Sequence, residues 1–87
     1  MNLVKFLVMW WWKGENAQEV TERFSKWTPP EYIKFLYPIS TIIGANRAFC
    51  VGEVEKEEDL ARAVLGWTDI CTYEFYPIMD SAEIIKL

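Results

Sequence analysis

The chain contains no histidine. It therefore lacks the side chain most used for acid–base chemistry near neutral pH, which is also the commonest metal ligand. Two cysteines, Cys50 and Cys71, are too few and too widely spaced for a zinc site. A redox pair is one reading of them; the leading one is two small buried hydrophobes. Nine Lys and Arg against thirteen Asp and Glu leave a net charge of −4, with no basic block or basic helical face. Such a chain is poorly suited to the phosphate contacts that supply most nucleic-acid affinity. No apolar run approaches the ~20 residues of a membrane helix. The apolar N-terminus holds Lys5, and no small-residue cleavage site follows it, so it is not read as a signal peptide. The expectation is a soluble cytoplasmic protein without nucleic-acid or membrane partners. Glycine-rich phosphate loops, nucleophile elbows and metal motifs are also missing. No catalytic residue, metal or cofactor is assigned. No repeat, linker or low-complexity segment is present, so residues 1–87 are read as one domain.

Aromatic residues are plentiful: five Trp, four Tyr and five Phe in 87 residues. Each can bury roughly 150–250 Å², which suggests an aromatic core. The stretch from Leu3 to Trp12 reads LVKFLVMWWW and is apolar on both alternating faces. Val4, Phe6, Val8, Trp10 and Trp12 share one side of a strand; Leu3, Lys5, Leu7, Met9 and Trp11 share the other. A small sheet packed on helices needs only one apolar face. A chain of this length buries only about 60–65% of its unfolded surface and is marginal alone. The second face, with Lys5 snorkelling to its rim, is therefore expected to form a homodimer interface.

Downstream, Asn16 and Glu19 have capping-box spacing at the start of a helix. Val20, Phe24 and Trp27 form its apolar stripe, and Glu19–Arg23 and Glu22–Lys26 are i,i+4 pairs in the favourable order. Pro29 and Pro30 stop it. Tyr32 to Ile43 is β-rich, and Pro38 marks it as an edge strand or the site of a bulge. A turn at Gly44 leads into a strand from Arg47 to Val54. That strand has a small face of Ala48, Cys50 and Gly52 that lets something bulky sit close. Lys56 to Asp59 open a second helix, with carboxylates favoured by the helix dipole. Leu60, Ala63, Val64 and Trp67 form its stripe, and Gly66 is a plausible stop. Asp69 to Met79 reads as a last strand and Ser81 to Lys86 as a helical turn.

The order β-α-β-β-α-β is the ferredoxin-like pattern: an α+β fold, with an antiparallel sheet carrying both helices on one face. Right-handed crossovers place the first strand between the third and fourth. Cys50 and Cys71, on those flanking strands, then have backbones roughly 9–10 Å apart, beyond the ~7 Å a disulfide spans.

Several stretches, KFLVMWWWKGEN, ERFSKWTPP, RAFCVGEV and GWTDICTYEFYPIMD, carry a resemblance that extends over nearly the whole chain. They resemble a small prokaryotic family of domains of unknown function, itself similar to the dimeric α–β barrel superfamily. The resemblance implies a ferredoxin-like protomer whose sheet packs face to face on that of a partner. The wider superfamily includes cofactor-independent monooxygenases, haem-binding enzymes, isomerases and ligand-sensing domains, so the fold does not fix a function. The haem-type members use a His that this chain lacks.

Two readings remain for the aromatic set. Trp10, Trp12, Trp27, Trp67 and Tyr73 either fill the core or line a pocket for a small apolar or aromatic ligand. In the pocket reading Arg47 and Asp69, with Thr68, stand near its mouth. Glu74, between Tyr73 and Phe75, is a general base only if buried; the leading reading places it in solvent. A non-catalytic dimeric module that binds a small ligand or a protein partner is favoured. The alternative is a cofactor-independent enzyme, monooxygenase- or isomerase-like, on an aromatic or enolisable substrate.

Overall fold

The computed structural model describes residues 3–87. Strand β1 (Val4–Trp11) leads through a 3₁₀ turn at Gly14–Asn16 into helix α1 (Ala17–Ser25). Strands β2 (Lys34–Thr41) and β3 (Arg47–Val54) form a hairpin; helix α2 (Glu57–Val64), strand β4 (Thr72–Pro77) and a short helix α3 (Ser81–Ile85) follow. The four strands make one sheet in the order β2-β3-β1-β4, with every neighbouring pair antiparallel. This is the ferredoxin-like α+β arrangement, with β1 in a central position.

Alternation in β1 decides which residues form the core. Phe6 and Val8 are buried and cluster with Cys50 and Val54. The small face of β3 is what admits the bulky even-numbered residues of β1. Phe6 is paired with Gly52 and Trp10 with Ala48. A Cβ at Gly52 would meet the Phe6 ring and the Lys34 carbonyl oxygen, each at 3.1 Å. From β4, Tyr73 and Phe75 join the same face, Tyr73 stacked on its partner Trp10 with ring centroids 5.7 Å apart. Both α1 and α2 stand over this face.

The other face carries Leu7, Met9 and Trp11 from β1, Phe49 and Val51 from β3 and Tyr76 from β4. No helix of the described residues is placed there by the core contacts. The molecule measures 46 × 26 × 18 Å, with a radius of gyration of 14.1 Å. A fully compact chain of 87 residues is expected near about 12 Å.

Strand β2 is the edge expected from Pro38. Its pairing with β3 slips twice, between Phe35 and Tyr37 and between Tyr37 and Ser40. The first slip turns Tyr37 to the face opposite Phe35, where it stacks on Phe49 at 5.6 Å.

Three local expectations need correction. Asn16 makes no side-chain cap; the 3₁₀ turn before α1 takes the place of the capping box. Glu19 is instead bonded to Arg23 at 3.3 Å. Glu22 accepts from Gln18 at 3.4 Å rather than pairing with Lys26, which lies past the helix end. The acidic run opens α2 as expected, with Glu57, Glu58 and Asp59 in its first turn; Asp59 is buried, at 7% exposure, and accepts a hydrogen bond from Arg62 Nη1 at 3.1 Å. Strand β4 begins at Thr72, leaving Asp69–Cys71 in the preceding turn, where backbone N–H groups of Ile70 and Cys71 both donate to the Trp67 carbonyl. Both cysteines are free and buried, in separate core clusters.

Candidate functional site

The helices do not seal the sheet. A cavity of about 250 Å³ lies between them and the even-numbered face of β1. Its floor is Phe6, Val8 and Trp10 of β1, Ala48 and Cys50 of β3, and Tyr73 and Phe75 of β4. Val20, Thr21 and Phe24 of α1 and Leu60, Ala63 and Val64 of α2 supply its roof. Ile33, Phe35, Ile39 and Thr41, from edge strand β2 and its approach, close one side.

At one end four indoles gather. Trp67 is buried with Val20 and Cys71, and Trp10, Trp12, Trp27 and Tyr73 pack against that cluster. Trp67 is held because the chain turns tightly after α2: its own N–H donates to the Val64 carbonyl and its carbonyl accepts from Ile70 and Cys71. Trp27 follows the end of α1 and stacks on Phe24 at 5.7 Å. The Trp12 indole N–H is enclosed and has no acceptor among the described residues. Leaving such a donor unpaired costs about 1–3 kcal/mol.

The walls carry no carboxylate, ammonium or guanidinium. Burial pushes the Cys50 thiol up to about 11, and it raises the Tyr73 hydroxyl well above the usual phenol range. Both groups are neutral at physiological pH. The site is an apolar, aromatic space with a few neutral polar atoms.

Five of the residues singled out in the sequence, Trp10, Trp12, Trp27, Trp67 and Tyr73, line this cavity together. Arg47 and Asp69 do not. Arg47 pairs with Trp11 across the β3–β1 ladder, and its guanidinium lies 5.5 Å from the Trp11 ring centre on the opposite sheet face. Asp69 is exposed and accepts two hydrogen bonds from Arg23, at 2.8 and 3.1 Å, across the α1–α2 junction. That guanidinium holds the Asp69 carboxyl below its ordinary range, and the hydrogen-bonded Asp69 carboxylate raises Arg23 in turn. Arg23 also donates to the Gly66 carbonyl at 2.7 Å and lies over the Trp67 ring. The pair therefore ties α1 to the Trp67 turn. Glu74 is exposed and pairs with Met9, on the face away from the cavity. It is not a buried base.

Sequence reasoning missed the contribution of β2 to the cavity. The alternation of Ile33, Phe35 and Ile39 was the available signal, but the two slips around Tyr37 hide it. It also missed a second space, a cleft of about 510 Å³ between the ends of α1 and α2. Arg23, Lys26, Trp27, Tyr32, Arg62 and Trp67 are among its walls. Among the described residues no group of His, Cys, Asp and Glu is arranged to hold a metal, and no helix is long and apolar enough to cross a membrane.

The model of a family described as a domain of unknown function, DUF3303, matches residues 4–87. Neither the curated proteins nor the solved structures gave a match.

Proposed function

We propose that this chain, which belongs to the DUF3303 family of domains of unknown function, is a non-catalytic module that binds a small apolar or aromatic molecule. The observation that carries this reading is the aromatic cavity of about 250 Å³ beneath the helices. A dry apolar cavity of about 150 Å³ is enough to hold benzene, and natural ligand sites are mostly apolar with few polar groups. The cavity walls offer no group ready to take or give a proton near neutral pH, which favours binding over catalysis. Native mass spectrometry of freshly purified protein tests the reading through a retained small molecule. Titration with naphthalene, followed by tryptophan fluorescence, tests it independently of what the cell supplies. Saturable quenching is the expected result; a linear response up to the solubility limit would remove the reading.

The second part of the proposal is a homodimer formed sheet to sheet. It is supported by the apolar centre of the uncovered face, Leu7, Met9, Phe49 and Val51, ringed by Lys5, Glu53, Glu74 and Arg47. An apolar centre with a charged rim is the usual anatomy of a protein interface. Light scattering at micromolar concentration should give twice the chain mass of 10.3 kDa.

A further inference from the structure

The cleft beside the cavity carries the charge that the cavity lacks. Three of the chain's nine basic residues, Arg23, Lys26 and Arg62, line it, and no acidic residue does. In a chain of net charge −4 this runs against the overall balance. The two spaces adjoin: Trp27, Ala63 and Trp67 are walls of both.

The three cations are not equivalent. Arg23 is committed, with Nη1 on Gly66 and Asp69 and Nη2 on Asp69 and Glu19. Lys26 makes no ion pair among the described residues. Arg62 gives only Nη1, to Asp59, and its side chain is 60% exposed. Its guanidinium is carried 5.6 Å from the centre of the Tyr32 ring, which fixes its direction without using its remaining donors. Lys26 and Arg62 are therefore the two cations with donors to spare.

We propose that the ligand is an amphipathic organic anion. Its flat apolar body, about two fused rings, occupies the cavity, and a single carboxylate lies in the adjoining cleft between Lys26 and Arg62. The size follows from a cavity of about 250 Å³, set against the roughly 150 Å³ that accommodates one benzene. The carboxylate follows from donors that match it in charge and in guanidinium geometry. This rests on the cavity being a ligand site, and it adds that binding is read by charge.

The test compares 2-naphthoate with 2-naphthamide, which share rings and differ in charge, by calorimetry on the wild-type protein at pH 7 and low salt. Naphthoate should bind about five- to tenfold more tightly. The advantage should close in 1 M salt, where screening reaches about 3 Å. Lys26→Glu, an exposed substitution past the helix end, should abolish it. Arg62→Gln should reduce it as well. Equal binding of the two probes by the wild type overturns the proposal while the cavity reading stands. A preference that survives Lys26→Glu overturns it too. If neither probe binds, both readings fall together.

Discussion

Replacing Trp67 with Ala separates a core role from a purely lining one. Trp67 is 8% exposed and packs on Val20 and Cys71. A Trp side chain buries up to about 250 Å². At about 25 cal/mol per Å² that burial is worth about 5–6 kcal/mol, an upper bound because the unfolded chain already hides part of it. One side of the indole faces the cavity, so it has fewer packing partners to lose than a fully enclosed ring. The expected cost is about 3–4 kcal/mol, within the range for Trp-to-Ala core changes. An 87-residue domain holds about 4–13 kcal/mol in total, so the variant should be barely folded or lose roughly 15–25 °C in melting temperature. Urea unfolding followed by circular dichroism gives the number, provided the slope with denaturant matches that of the wild type. A loss below about 1 kcal/mol would refute the reasoning. It would mean that the contacts of Trp67 with Val20 and Cys71 contribute little to stability.

Four further outcomes follow from the geometry. Asp69 titrates lower in the folded protein than in the unfolded chain because of Arg23, so the folded state binds that proton more weakly. Its contribution is complete above the unfolded value of about 3.9 and is lost as pH falls through the depressed folded value. Melting temperature should therefore drop less steeply between pH 5 and pH 3 in Asp69→Asn than in the wild type; parallel curves would refute this. Cys50, whose thiol burial pushes up to about 11, should react with iodoacetamide at pH 8 at least about tenfold more slowly in the native state than in urea. Gly52→Ala puts a Cβ 3.1 Å from the Phe6 ring and a backbone oxygen. It should cost about 1–3 kcal/mol; an unchanged thermal melt would show that β2 and Phe6 give way freely. Met9→Lys places a charge at the centre of the uncovered face. It should shift the light-scattering mass to that of a monomer without loss of helical signal.

The indole cluster shows how far local pattern reaches. Trp27 and Trp67 each end a helical apolar stripe, and Trp10 and Trp12 share one face of β1. Placing two such helices on one sheet face was enough to bring the four together, as the structure does. The strand order was equally legible, because a strand apolar on both faces belongs in the centre and a proline-bearing strand at the edge. The failures occurred where a residue had two acceptable partners. Asn16 has the chemistry of a cap, but the 3₁₀ turn satisfies the backbone first. Arg47 sits one residue from the cavity-lining Ala48, and strand alternation sends neighbours to opposite faces. Asp69 has the chemistry of a pocket mouth, but Arg23, 46 residues away, takes it.

By itself the sequence determined the elements, their order, the central β1 and the apolar character of both of its faces. Periodicity and proline chemistry act between residues a few positions apart, so they are written locally. Only the tertiary structure decided that the helix layer leaves a cavity over β2 and β3, that the β2 slips turn Tyr37 away from it, and that Lys26 and Arg62 share a cleft. Those outcomes depend on how far apart packed elements come to rest, which is set by side-chain volumes meeting across long stretches of chain.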